Sequence, residues 1–185
     1  MSDYNVGDLV AEFIHQVGIE VVFGVVSVHN IPMMDGLGRR NTVRLFPARG
    51  EMGAGHMADG YARARRHLGC FVTSTGPGAA NAPGALVEAR FGSSPVLHLT
   101  GQTATADLDK AHGAVHDVPD QLGMLETVSK RAYRVRSPEA AFGILLKAAT
   151  EALTPPMGPV SVEIPIDVQR AAIARPAQLD SIVLP

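Results

Sequence analysis

Glu51 stands in the run Arg49-Gly50-Glu51-Met52-Gly53-Ala54-Gly55-His56-Met57-Ala58-Asp59-Gly60-Tyr61-Ala62-Arg63, where a strand gives way to a glycine-rich helix. A carboxylate in such a place is where catalysis is to be sought. The preceding Thr42-Val43-Arg44-Leu45-Phe46 has strand character, and Ala54, Met57, Ala58, Tyr61 and Ala62 recur at the spacing of one helical face. Glu51 is therefore expected in the first turn of a helix, at the C-terminal edge of a strand, where open α/β sheets bind ligands. Gly53, Gly55 and Gly60 keep that helix thin enough for a neighbouring backbone or a flat ligand to come close. On local grounds alone the simpler role is the favoured one: a lone acidic residue complementing the positive end of the helix dipole.

Other groups invite the same scrutiny. His29 lies just past an expected first strand, and an imidazole there can exchange protons near neutral pH, although a loop histidine is ordinarily exposed. Thr75-Gly76-Pro77-Gly78-Ala79-Ala80-Asn81 is a glycine turn opening a helix, whose amides could meet an anion. It lacks the Gly-Lys-Ser/Thr of a P-loop and the third glycine of a dinucleotide fingerprint, so a tight connection tied down by Asn81 explains it equally well. His112, His116, Asp117 and Asp120 fall in a stretch from Gly101 to Gly123 without clear periodicity, and long unstructured loops are usually functional or mobile. The four-residue spacing of His112 and His116 suits a metal, but Gly113 between them and the lack of a third ligand argue against zinc. His56 reads as a surface or interface residue.

Positioning these groups takes an alternating chain. Val6, Leu9, Val10, Phe13, Ile14 and Val17 mark an amphipathic helix stopped by Gly18, before a strand at Glu20–Gly24 and a Pro32-initiated helix ending near Arg40. Further strands are expected at Gly69–Ser74, Pro95–Thr100 and Val160–Ile164, with helices over Ala79–Arg90 and Ala141–Ala152. Such alternation implies an α/β fold, doubly wound, with a mostly parallel sheet and helices on both faces. The domain is expected over residues 1–168, with 169–185 a linker or tail.

At 185 residues and 46% hydrophobic content, the chain suits one well-buried core. A net charge of −2, a pI near 6.4 and few aromatics give no reason to expect nucleic acid or an anionic membrane as partner. The single Cys70, in a strand-like run, excludes an internal disulfide framework and suits a buried thiol in a reducing cytoplasm. The N-terminus has no signal-peptide pattern, and no apolar run is long enough to span a bilayer.

Taken together, the blocks Arg49–Arg63, Ser74–Asn81, Pro95–Gln102 and Gly158–Val168 resemble the N-terminal, pyrimidine-binding domain of thiamine-diphosphate enzymes of the acetolactate synthase, benzoylformate decarboxylase and benzaldehyde lyase group. The likeness runs from about residue 5 to Gln169. It implies that Glu51 hydrogen-bonds the aminopyrimidine nitrogen of thiamine diphosphate, favouring the imino tautomer that deprotonates the thiazolium C2. Gly76, Gly78 and Asn81 would shape the turn beside the pyrimidine. His29 would take the place of an active-site histidine, and His116 that of a polar residue facing the substrate. The implied activity is decarboxylation or carboligation of a 2-oxo acid; the resemblance leaves FAD use open.

Two departures qualify that likeness. Gly24-Val25-Val26-Ser27-Val28-His29 replaces the Gly-x-Pro-Gly turn usual in acetolactate synthases. No Gly-Asp-Gly is present, so the carboxylate that holds Mg²⁺ and the diphosphate is expected from a diphosphate-binding domain or subunit. The resemblance also implies a homo-oligomer, dimer or tetramer, whose interface covers apolar surface near Glu51. The competing reading is a non-catalytic assembly or binding protein that kept the fold, against which the retained Glu51 counts.

Overall fold

A computed structural model describes residues 4–110 and 112–185. Six strands, β1 (Val21–Gly24), β2 (Arg44–Pro47), β3 (Gly69–Thr73), β4 (Val96–Gln102), β5 (Arg131–Arg134) and β6 (Val160–Pro165), form one sheet in the order β2-β1-β3-β4-β6-β5. Every neighbouring pair is parallel. The eight α-helices among the described residues are α1 (Val6–Gln16), α2 (Ile31–Arg40), α3 (Glu51–Arg65), α4 (Pro77–Ala80), α5 (Pro83–Phe91), α6 (Gln121–Val128), α7 (Ala141–Leu153) and α8 (Ile166–Arg170). The expected doubly wound α/β architecture is the one observed.

Successive side chains of a strand face opposite ways, so the central strands feed two cores. Val22, Cys70, Val72, Leu97, Leu99, Val160 and Val162 point to one face, where Leu9, Phe13 and Ile14 of α1, Met33 of α2 and Leu145 of α7 cover them. Phe23, Phe71 and Val96 point to the other, against Ala54 and Ala58 of α3, Leu86 of α5 and Leu125 of α6. Cys70 is free and fully buried, and burial pushes its thiol well above the usual range.

Helix ends explain several polar residues. Asn5 and Asp8 make a reciprocal capping box at the start of α1, with bonds of 2.9 and 3.1 Å. Near the N-terminal edges of β4, β5 and β6, Arg90 donates to the carbonyls of Thr127 and Ser129, both at 3.1 Å, beside the end of α6. Lys130 donates to those of Glu151 and Thr154, both at 2.6 Å, at the end of α7. Cations belong at helix C-termini, whose last carbonyls lack intrahelical partners.

Two expectations need adjustment. The single helix expected over Ala79–Arg90 is two, α4 and α5, because Pro83 interrupts it. The region from Gly101 onward is more ordered than its pattern suggests: β4 continues to Gln102, and α6 and β5 follow a connection of residues 103–120. Residues 169–185 fold back over α1, with Ala172 bridging Asn5, Leu179 fully buried and Arg175 paired with Glu12 at 2.7 Å. No helix among the described residues is long and apolar enough to cross a membrane.

Candidate functional site

The chain leaves β1 for β2 on one side, and the sheet then grows through β3 on the other. Parallel connections that diverge in this way open a crevice beyond the C-terminal ends of β1 and β3. Three segments border it: the loop after β1 that carries His29, the turn after β3 at Ser74–Gly76, and the long connection after β4 that carries His116.

Glu51 is the first residue of α3, half-buried, behind an extended Gly50. Its carboxylate is seated from one side. Asn81 Nδ2 donates to Oε2 at 3.3 Å, and a Cβ at position 78 would lie 2.8 Å from Oε1 and 2.6 Å from Ser74 Cβ. Only a glycine lets the carboxylate lean against that turn. An opening of about 280 Å³ lined by Gly50, Glu51, Met52, Gly53 and Asn81 lies beside it. A hollow of about 400 Å³ between α1 and the C-terminal segment, and another of about 470 Å³ near Glu20 and Arg44, contain none of the candidate residues.

The second grouping is a pair of imidazoles. His29 and His116 have ring centroids 5.5 Å apart. Against the expectation for a loop histidine, His29 is only 8% exposed, because Asn30 draws its loop inward. The Asn30 amide donates to the carbonyls of Val25 (2.9 Å) and Thr73 (3.1 Å) and accepts from Ser27 N–H at 2.8 Å. Gln169 Nε2 holds the His29 carbonyl at 2.8 Å. Burial first, and the neighbouring His116 second, push the His29 pKa down, which keeps the ring neutral near pH 7. Among the described residues its buried Nδ1 has no hydrogen-bond partner, as suits a group that meets a ligand.

Gly76 joins the two groupings. Its φ of +58° and ψ of −114° are open to glycine, and a Cβ there would strike the His116 carbonyl. The other candidates do not converge on the crevice. Asp120 accepts Gly123 N–H at 2.8 Å and caps α6, while His112 and His56 are exposed. The described residues contain no group of three or more His, Cys, Asp or Glu side chains placed to hold a metal ion.

Beneath the turn lies a buried polar array that pattern reading missed. Gln121, 1% exposed, accepts from Gly76 N–H (2.7 Å) and Thr75 Oγ1 (2.8 Å) and donates to the Gly101 carbonyl (3.2 Å) and Glu163 Oε2 (3.0 Å). Glu163, fully buried, also pairs with Arg134 and receives Gln102 Nε2 at 3.4 Å. Arg134 reaches on to Asp109 at 2.7 Å. Burial pushes the Glu163 carboxyl upward, against the pull of Arg134 and the two amides. Polar residues inside an apolar strand such as Val160–Ile164 are the available signal, since a buried carboxylate needs partners.

Residues 4–124, more than half of the chain, match the family described as "Thiamine pyrophosphate enzyme, N-terminal TPP binding domain". The chain belongs to this family. It is 33% identical over 169 residues to the probable 2-ketoarginine decarboxylase AruI of Pseudomonas aeruginosa, a match covering 91% of the chain and 30% of that protein. To the acetolactate synthase large subunit of Lactococcus lactis it is 31% identical over 160 residues, 86% of the chain and 27% of the relative. To acetolactate synthase isozyme 1 large subunit of Escherichia coli it is 31% identical over 181 residues, 96% and 32% respectively. The chain thus spans about a third or less of the length of these relatives and corresponds to the N-terminal, cofactor-binding domain of multidomain enzymes.

Proposed function

We propose that this domain holds the pyrimidine end of thiamine diphosphate through Glu51, as the pyrimidine-binding module of an acetolactate synthase-like decarboxylase or carboligase acting on a 2-oxo acid. The observation that carries the reading is the seat of the Glu51 carboxylate, with Asn81 on one oxygen and the bare Cα of Gly78 beside the other. Such a carboxylate is fixed in place, faces an opening at the sheet edge and fits a partner presenting a ring nitrogen.

When bound, the cofactor supplies the electron sink for carbanion chemistry. The work of the chain is narrower. Glu51 shares a proton at its carboxylate, Asn81 and Gly78 fix that group, and the Gly76 turn sets the wall of the crevice. Neutral His29, with its unpartnered Nδ1, and His116 beside it hold or pass protons at the substrate end. Glu51 is only half-buried here, so the shielding that favours proton sharing comes from the cofactor and a covering domain.

That partner is a diphosphate-binding domain or subunit, which would also bring the Mg²⁺ ligands; FAD is assigned no residue in this module. Exposed Met52 (53%), Val87 (52%) and Phe91 (88%), from α3 and α5, form the apolar surface that the partner or a second copy in a dimer or tetramer would cover. A reducing, cytoplasmic setting suits the free Cys70.

The test is Glu51→Gln in the chain combined with its diphosphate-binding domain. Turnover of a 2-oxo acid should fall by about 10²–10⁴, with the unfolding temperature nearly unchanged. Retention of activity within tenfold would refute the role of Glu51. Turnover by the isolated chain with thiamine diphosphate and Mg²⁺ would refute the need for a partner.

A further inference from the structure

Gln121 satisfies its whole amide within the fold. Both lone-pair directions of Oε1 are taken by Thr75 Oγ1 (2.8 Å) and Gly76 N–H (2.7 Å), and Nε2 is shared between the Gly101 carbonyl (3.2 Å) and Glu163 Oε2 (3.0 Å). Those four partners come from the β3 turn, the end of β4 and the middle of β6, so one side chain ties the turn to two neighbouring strands. The Gly76 carbonyl, in turn, receives Ala80 N–H at 2.8 Å, and Thr75 O receives Gly78 N–H at 3.2 Å. Rotation of the Gly76 peptide would therefore displace the start of α4, and with it Gly78 and Asn81, the two residues that seat the Glu51 carboxylate.

We propose that Gln121 is a positioning residue for Glu51: by holding the Gly76 N–H it fixes the Gly76–Asn81 turn at the height where Gly78 and Asn81 orient the carboxylate toward the pyrimidine. The proposal rests on the reading of Glu51 as the pyrimidine partner. Glu163 orients Gln121 by accepting from Nε2. A reversed amide would turn Nε2 toward the Gly76 N–H and leave two donors facing each other. Arg134 pulls against the burial that raises the Glu163 pKa, favouring the carboxylate form that accepts from Nε2. The relay runs from a buried ion pair, through one amide, to the turn that bears on the catalytic carboxylate.

The test follows backbone amide resonances of the 185-residue chain, combined with its diphosphate-binding domain and Mg²⁺, during titration with thiamine diphosphate. In the wild type, the amides of Gly50 to Gly53 and Gly76 to Gly78 should shift together. Gln121→Met keeps the side-chain length and loses all four bonds. It should move the Gly76 amide resonance before any ligand is added and raise the half-saturation by about tenfold. Leu145→Ala, a cavity on the opposite face of the sheet, should lower stability without moving the half-saturation, which separates positioning from general loosening. Gln121→Glu combined with Glu163→Gln exchanges carboxylate and amide while keeping a hydrogen bond between them, and should restore binding.

An unchanged half-saturation in Gln121→Met overturns the proposal and leaves the Glu51 reading standing. Wild-type chain that shows no shift at either segment overturns both. If Gln121→Met does not fold, the exchanged pair decides: failure to fold, or folding without binding, overturns the proposal.

Discussion

Replacing Arg134 by methionine would leave the carboxylate of Glu163 buried without its guanidinium. The Arg134 side chain is 4% exposed and that of Glu163 0%, so water cannot substitute for the lost partner. Removing one member of a buried pair costs about 3–5 kcal/mol. The lost contact to Asp109, which is 58% exposed, adds no more than about 1 kcal/mol. The amides of Gln121 and Gln102 still donate to Glu163, which holds the cost to the lower half of that range. At 2–4 °C per kcal/mol for a chain of this length, the unfolding temperature falls by roughly 10 °C. Burial already raises the Glu163 pKa in the wild type, and with Arg134 gone only the two amides oppose it, so the folded-state pKa rises further above its unfolded value of about 4.3. The folded state then binds the extra proton, so the stability of the variant is greatest at low pH and is lost as pH rises through the folded-state value. Urea unfolding at pH 5 and pH 8 should show a deficit relative to wild type that is small at the first and full at the second. Arg134→Met with Glu163→Met should recover about 1–4 kcal/mol, because no charge remains to be buried. A deficit under about 1 kcal/mol at pH 8, the same deficit at both pH values, or a double variant no better than the single would refute the reasoning.

Gly78→Ala puts a methyl 2.8 Å from Glu51 Oε1 and 2.6 Å from Ser74 Cβ. It should destabilise by about 1–3 kcal/mol and raise the half-saturation for thiamine diphosphate, so an unchanged titration argues against the seat. His98 lies between Thr73 Oγ1 (3.0 Å) and Ser161 Oγ (2.9 Å), stacked on Phe71 at 4.3 Å, and burial holds its pKa down to about 3. A base whose folded-state pKa lies below its unfolded value contributes fully above about pH 6.5 and loses that contribution as pH falls toward the folded-state value. Between pH 6.5 and 5 the wild type should therefore lose stability more steeply than His98→Gln, by an amount approaching one proton in the slope of unfolding free energy. Equal slopes would show that His98 takes up its proton in the folded state.

Much of the architecture was legible because its signals are local. The face Val6, Leu9, Val10, Phe13, Ile14 of α1 and the apolar runs of β3, β4 and β6 carry their periodicity within a few residues, and parallel order follows from strand–helix alternation. β5 and α6 were not. Arg131-Ala132-Tyr133-Arg134 is a partly exposed edge strand, and in α6 Leu125 and Gln121 are the only residues buried. Met124, Leu125 and Val128 of α6 do pack on the core, but within eight residues they give too little repetition for a pattern to stand out. The reading of His29 as exposed failed for a related reason. Its burial depends on Asn30 reaching the Thr73 carbonyl, 43 residues away.

The sequence alone determined that a carboxylate would stand at the head of a thin helix and that a glycine turn would open another, since strand, cap and turn chemistry act between near neighbours. The tertiary structure decided what each polar group faces. Glu51 meets Asn81 and Gly78, Gln121 meets Gly76 and Glu163, and His29 meets His116 only after the sheet order brings the ends of separate strands to one edge. Hydrogen bonds and desolvation act over a few ångströms of space, whatever the separation along the chain. The same composition in another strand order would put these groups in water, with neither the seat nor the buried relay beneath it.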